Sequence, residues 1–260
     1  MVVFFDIDGT LVDNATQIIP RSTIRAMSQL RWNGHIPIVN TGRPYNHIDP
    51  RVRKMDFYGL ACGCGMQIQL GGEWLVRVGP TAEQCRMVRD MARRCNMQVL
   101  YESTYGELYL DGERSTHPAI REECYWMKKK GFKIAQLDED RPRFLKLVTY
   151  DGPDCRREEF IQGVSPVYTC IDRGDTMLEL VMNGCSKAIG IEKIMEHLGV
   201  SREETLAIGD STNDLPMFSM AGHTVCMGNG MEELKQKAEY ITDSVLNDGI
   251  EKALRHYGLL

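Results

Sequence analysis

A chain of 260 residues with 43% hydrophobic and 26% charged positions has the make-up of an ordinary globular protein, long enough for one large or two modest domains. Lys and Arg number 31 against 36 Asp and Glu, a net charge of −5, so no basic excess points to a nucleic-acid or acidic-membrane partner. The apolar start is broken at Asp6, no run of ~18 apolar residues follows, and the expectation is a cytoplasmic protein with neither signal peptide nor membrane span.

Met1 to Phe5 reads as a buried strand that stops at Asp6-Ile7-Asp8-Gly9-Thr10-Leu11. Ligands of open α/β sheets sit at the carboxyl ends of strands, and alternation puts Asp6 and Asp8 on one side there. Two acids so placed can hold a hard cation through oxygen while one stays free for covalent or acid/base work; an Asx turn would use the same letters. Next come a helix from Ser22 to Asn33, with Ile24, Met27 and Leu30 on its apolar face, and a strand Ile36 to Val39. That strand ends at Asn40-Thr41-Gly42-Arg43, where a hydroxyl, a glycine amide and a guanidinium would suit a phosphate. Short extended pieces follow around Leu60 and at Gln67 to Leu70.

The middle of the chain changes pattern. Thr81 and Gln84 form a capping-box signature for a helix carrying Cys85, Val88, Ala92 and Cys95 on one face. Strands are expected at Gln98 to Tyr101, Leu108 to Asp111, Phe144 to Tyr150, Tyr168 to Asp172 and Met177 to Met182, with a helix at Pro118 to Lys130. Hairpins separated by helices suggest an α+β insert over residues 82–182, its sheet covered by helices on one side. From Ser186 onward helix and strand alternate regularly: Ala188 to Leu198, Thr205 to Ile208, Leu215 to Ala221, Thr224 to Met227, Met231 to Ala238, Tyr240 to Thr242 and Asp248 to His256. Such alternation argues for a parallel sheet covered on both faces, so residues 1–81 and 183–260 are expected to form a Rossmann-like α/β core. Two further carboxylates, Asp210 and Asp214, follow the Thr205 strand, with Asn213 between them. Lys187 opens a helix capped by Ser186, although a cation is disfavoured at that end.

The nine cysteines are scattered, mostly in apolar patterns, and are expected to be free thiols. Cys62-Gly63-Cys64 is the one close pair, and no second pair completes a four-ligand metal site. The six histidines are dispersed without ligand spacing.

Asp6-Ile7-Asp8-Gly9-Thr10, Thr41-Gly42-Arg43, Lys187 and Gly209-Asp210 with Asn213-Asp214 resemble, in that order, the four motifs of the haloacid dehalogenase (HAD) phosphatase superfamily. Leu178-Glu179-Leu180, Gly184-Cys185-Ser186-Lys187, Met227-Gly228-Asn229 and Asp248-Gly249-Ile250 look like its Cof-type branch, which carries a large α/β cap between the second and third motifs. Departures are Cys64-Gly65-Met66 for the usual Asn-Gly-Ala, Cys185 for valine and Gly230 for alanine; none removes a group the chemistry requires.

The resemblance implies a Mg2+-dependent phosphomonoesterase acting on a small phosphorylated metabolite, with a lean toward hexose phosphates. It implies Asp6 as nucleophile and Asp8 as acid and then base. Asp6, the main-chain carbonyl of Asp8 and Asp210 would hold the ion, with Asp214 assisting. Thr41, the Gly42 amide, Lys187 and Asn213 would cradle the phosphoryl oxygens, with the Gly9 and Thr10 amides as added donors. Arg43 would touch phosphate or brace its loop through a carboxylate. The cap would set substrate choice, with Arg173, Asp175, Glu179, Tyr105 and Glu107 as candidate contacts. A phosphomutase and a non-catalytic phosphometabolite sensor are the competing readings. Monomer or weak homo-oligomer is the expected state.

Overall fold

The computed structural model describes Met1–Leu260, and the chain divides into two compact units. The first comprises Met1–Gly42, Pro50–Arg77 and Ser186–Leu260; the second comprises Arg43–Asp49 and Val78–Cys185. The second unit thus takes in Arg43–Asp49 as well as a continuous stretch that overlaps residues 82–182.

In chain order the elements begin with β1 (Val2–Phe5), α1 (Arg21–Trp32), β2 (Ile36–Asn40), α2 (Pro50–Arg53), β3 (Gly59–Cys62), β4 (Gln67–Leu70) and β5 (Glu73–Arg77). The second unit holds α3 (Ala82–Arg94), β6 (Gln98–Glu102), β7 (Glu107–Leu110), α4 (Pro118–Lys129), β8 (Lys133–Gln136), β9 (Lys146–Tyr150), α5 (Arg157–Val164), β10 (Tyr168–Asp172) and β11 (Met177–Met182). The chain closes with α6 (Lys187–Leu198), β12 (Thr205–Gly209), α7 (Leu215–Met220), β13 (His223–Cys226), α8 (Glu232–Lys235), β14 (Tyr240–Ile241) and α9 (Gly249–His256).

The first unit is built on a sheet in the order β14-β13-β12-β1-β2-β3-β4-β5, parallel from β14 to β3 and antiparallel beyond. All four residues of β1 are buried, as a strand covered on both faces requires. Val2 and Phe4 share one core with Ile191 and Ile194 of α6 and Met217 and Phe218 of α7. Val3 and Phe5 alternate to the other face, where Phe5 meets the Phe57 ring. In α1 the buried stripe runs through Thr23, Ala26, Met27 and Leu30, while Ile24, expected on that face, is 45% exposed. At 100° per residue Ile24 falls about 110° from the centre of that stripe, so spacing of three alone misplaced it.

The second unit has a six-stranded sheet, β10-β11-β9-β6-β7-β8, antiparallel except for the β7–β8 pair. Val99, Tyr101, Leu147, Leu178 and Leu180 point to one face, into a core closed by α3 and α5. Leu100 and Leu108 point the other way and pack on Ile120 and Met127 of α4. Helices therefore cover both faces, which corrects the one-sided arrangement expected from the sequence; α5, absent from that reading, buries only Phe160 and Val164. All nine cysteines are free. No helix is long and apolar enough to cross a membrane.

Candidate active site

The parallel strands of the first unit deliver their carboxyl ends to one edge, and the chemistry-bearing residues follow those ends directly. Asp6 comes one residue after β1, and its amide still donates to Ile208 O at 3.0 Å, so the strand geometry carries through it. The chain then turns tightly, with Leu11 and Val12 amides both donating to Ile7 O at 2.9 Å. Gly9 makes the turn possible with φ of +81°, and a Cβ there would overlap the Asp210 carboxylate. Thr10 Oγ1 donates to Asp210 Oδ1 at 3.1 Å, tying the first loop to the one after β12.

The loop after β12 is organised by Asp214, which is fully buried. Its Oδ2 accepts from the amides of Asp210 at 3.0 Å and Ser211 at 3.2 Å. Gly209 has to be glycine for this, since a Cβ would collide with the same carboxylate. Lys187, buried in the first turn of α6, donates from Nζ to Asp6 Oδ1 at 2.7 Å, Asp214 Oδ1 at 2.6 Å and Asn213 Oδ1 at 3.3 Å. The misplaced cation of the sequence is thus the counter-charge of the cluster.

Three carboxylates for one ammonium leave the cluster electrostatically unfinished. Asp6, Asp210 and Asp214 each present an oxygen, and the three atoms lie within 4.8 Å of one another. Burial drives the Asp6 carboxyl well above its ordinary range; Lys187 opposes this, and the charges of Asp214, Asp210 and Asp8 add to it. Burial also raises Asp210, to about 7, with Asp214 as the next cause, against the Thr10 hydrogen bond and Lys187. Burial works against the charge on Lys187, but Asp214 and Asp6 outweigh it and hold the ammonium protonated. Crowded hard oxygen donors with excess negative charge are the environment of a divalent cation such as Mg2+, and the residues present fit one. Asp8 stands outside that trio and is half-buried, and its main chain forms an isolated β-bridge with Val12.

Thr41 is buried at the end of β2, its amide donating to Ala61 O at 2.8 Å, with Gly42 next to it. Two expectations need correction. The Gly9 amide donates to Val12 O at 2.8 Å and the Thr10 amide to Ile7 O at 3.2 Å, so the turn itself consumes both proposed donors. The Ile7 amide, which the sequence reading passed over, has no acceptor in the protein. Arg43 groups with the second unit and pairs with Glu123 of α4 at 3.1 Å.

Asn229 was visible only as part of a motif. Its Nδ2 donates to Gly9 O at 2.8 Å and its Oδ1 accepts from the Val245 amide at 3.0 Å, so it clamps the Asp6–Val12 turn from behind. In the second unit, Arg173 and Glu179 are brought together at 2.6 Å, with Lys146 on the other Glu179 oxygen at 2.5 Å. Tyr105 is exposed on the β6–β7 turn, and Glu107 on that hairpin accepts from Ser103 Oγ at 3.0 Å. Asp175 occupies the β10–β11 turn with φ of +46°.

The family of haloacid dehalogenase-like hydrolases matches residues 3–254. The chain is 27% identical over 264 residues to YkrA of Bacillus subtilis (strain 168), whose phosphatase name is provisional, covering 100% of this chain and 98% of that protein. It is 29% identical over 262 residues to the 5-amino-6-(5-phospho-D-ribitylamino)uracil phosphatase YcsE of the same organism, covering 99% and 96%. A solved phosphatase of the HAD superfamily from Bacteroides thetaiotaomicron superimposes with a TM-score of 0.82 at 25% identity, covering 100% of this chain and 95% of that one. With the acidic cluster standing at the ends of β1 and β12 and a family match running almost end to end, the chain belongs to the haloacid dehalogenase-like hydrolases and is a phosphoric monoester hydrolase.

Proposed function

We propose that this protein is a Mg2+-dependent phosphomonoesterase that hydrolyses small phosphorylated metabolites, sugar phosphates foremost, through an aspartyl-phosphate. The observation that carries this reading is the close trio Asp6, Asp210 and Asp214, two of whose members, Asp6 and Asp214, bond the single ammonium of Lys187.

An Asp6 carboxylate oxygen attacks phosphorus, the bond from phosphorus to the ester oxygen breaks, and Asp8 gives its proton to the departing alcohol. Asp8, now a carboxylate, takes a proton from water, and the hydroxide so formed attacks the aspartyl-phosphate, releasing phosphate and restoring Asp6. Lys187 offsets charge on the transferring oxygens from a fixed position, which costs no reorganisation in the transition state. The Thr41 hydroxyl, the Gly42 amide and Asn213 serve the same oxygens, and the unpartnered Ile7 amide takes the place first assigned to those of Gly9 and Thr10. Asp6, Asp210, Asp214 and the Asp8 carbonyl would hold Mg2+, which when bound supplies positive charge to the phosphoryl group.

The substrate class draws support from the Cof-type motifs and from YcsE, whose named substrate is a phosphate ester on a ribityl chain. A hexose 6-phosphate shares its essential chemistry, a phosphate on a polyhydroxylated carbon chain. The test is inorganic phosphate release over one matched panel of hexose 6-phosphates, pentitol phosphates, nucleoside monophosphates and phosphopeptides. Sugar and polyol phosphates should give the highest kcat/KM. A nucleotide or phosphotyrosyl peptide ahead of all of them by tenfold, about 1.4 kcal/mol in transition-state binding, overturns the substrate assignment. Stoichiometric phosphate release also separates a phosphatase from a phosphomutase, which returns the group to its sugar.

A further inference from the structure

Lys187 occupies a place its own helix does not favour. A cation in the first turn of α6 meets the positive end of the macrodipole, yet its ammonium must reach both Asp6 and Asp214. Ser186 caps the turn by accepting from the Ile189 amide at 3.1 Å. A second hold comes from outside the helix: Asn40 Nδ2 donates to the main-chain oxygen of Lys187 at 2.9 Å.

Asn40 is the last residue of β2 and is completely buried. The Lys187 carbonyl can only accept, so the NH2 half of the carboxamide must face it. The other half, Oδ1, is buried and meets no donor. An apolar side chain would leave no such orphan, so the carboxamide is kept against a local cost, and what it supplies is one donor aimed at one carbonyl. Close packing surrounds this contact. A Cβ on Gly190 would lie 3.4 Å from Asn40 Oδ1, and one on Gly65 would lie 3.0 Å from Ser186 O and 3.1 Å from the Gly190 amide nitrogen. The first turn of α6 is thus seated against both the end of β2 and the turn that follows β3.

We propose that Asn40 is a positioning residue for catalysis: its carboxamide fixes the main chain at Lys187, and so holds the ammonium between Asp6 and Asp214. The inference rests on the reading of Lys187 as the charge that steadies the transferring phosphoryl group. Asn40 makes its one hydrogen bond to Lys187 and none to the carboxylates, so its influence must pass through that lysine. An interaction that matters most in the transition state lowers kcat when lost and leaves KM nearly unchanged.

The experiment is a double-mutant cycle. Asn40→Leu, of similar shape without the amide, and Asn40→Ser, too short to reach the carbonyl, are each made alone and with Lys187→Met. Rates of p-nitrophenyl phosphate hydrolysis with Mg2+ are measured together with thermal melts. Either Asn40 variant should lower kcat roughly tenfold with KM within about twofold, and should cost less than about twofold once Lys187 is methionine. If Asn40→Leu does not fold, Asn40→Ser decides the matter. Wild-type kcat in the folded variants, or a loss of equal size in both backgrounds, overturns the positioning role. Wild-type kcat in Lys187→Met instead overturns the reading of Lys187 on which the inference rests.

Discussion

The two units bury charge in opposite ways. In the first, three carboxylates cluster with one ammonium bonded to two of them, and burial with mutual repulsion lifts Asp6 and Asp210 far above ordinary carboxyl behaviour. In the second, one buried carboxylate, Glu179, lies between two cations, Lys146 at 2.5 Å and Arg173 at 2.6 Å. Burial alone would raise Glu179 as well, but Lys146 and then Arg173 reverse it and bring the carboxyl down to about 2. The same physics yields an ion-paired structural knot, with cations in excess, in one place and a site with excess negative charge in the other. Unbalanced negative charge at a strand end is a setting suited to a cation.

If the imbalance is functional, relieving it should destroy activity without harming the fold. Asp6→Asn removes one crowded carboxylate and keeps the shape, so turnover should fall by roughly 10³-fold or more while the melting temperature stays or rises. Retained turnover in rigorously purified protein would remove Asp6 as nucleophile.

The Glu179 knot should behave in reverse. Glu179→Gln leaves Lys146 and Arg173 without their shared partner in a buried setting, a loss of about 3 kcal/mol in the stability of the second unit at neutral pH. The pH dependence has a definite sign. Because the folded carboxyl titrates at about 2 and its ordinary value is 4.5, its contribution is complete above 4.5 and disappears as pH falls from there toward 2. Denaturation curves of the wild type and Glu179→Gln should therefore converge on acidification; a gap that stays constant down to pH 2 would show that the ion pairs contribute nothing.

How much of this contrast was legible in the sequence differs by region. Asp6, Lys187, Asp210 and Asp214 could be picked out because each follows an apolar strand or opens a helix at a fixed offset. The second unit gave weaker signals. In β8 every residue is exposed or half-buried, so it carries no clean alternation. The partnership of Lys146, Arg173 and Glu179 depends on the register between β9 and β11, which pairs Val148 with Glu179, and no local pattern encodes a register. The segment Arg43–Asp49 was missed for the same reason: His47 is buried against Glu102 and the Glu107 carbonyl, contacts more than fifty residues away in the chain.

Asp8 tests the first unit more gently. It stands outside the carboxylate trio, so Asp8→Asn should leave metal binding in place and slow turnover by about 10²-fold, the scale of general acid/base catalysis. Aryl phosphates, which need little help to leave, should suffer less than alkyl phosphates in single-turnover phosphorylation. Equal losses for both would argue against the acid role.

The stability that a bound cation adds is the next smaller effect. Chelation should silence turnover and Mg2+ restore it, and the ion should also stabilise the fold, by about 1.4 kcal/mol at ten times its dissociation constant. This melting shift needs no substrate. It should shrink in Asp210→Asn and persist in Glu179→Gln. A shift of equal size in both variants would place the ion somewhere other than the acidic cluster.

The smallest effect isolates stability in the second unit from chemistry in the first. Thr81 Oγ1 accepts from the Gln84 amide at 3.2 Å, and Gln84 Oε1 accepts from the Thr81 amide at 2.8 Å, closing the capping box that starts α3. Two otherwise orphaned amides are satisfied there, and the helix they start carries Cys85, Val88 and Ala92 into the core of the second unit. Thr81→Ala should cost about 1 kcal/mol, and Thr81→Ser, which keeps the acceptor oxygen, markedly less. Neither residue bonds to the acidic cluster, so kcat and KM should both hold at their wild-type values at temperatures where the protein is folded. Hydrogen exchange at the Gln84 amide is the local readout, and it should accelerate in the alanine variant alone. A parallel fall in kcat would mean that stability of the second unit and chemistry in the first are coupled, and the contrast between a structural and a functional use of buried charge would then need a link between them.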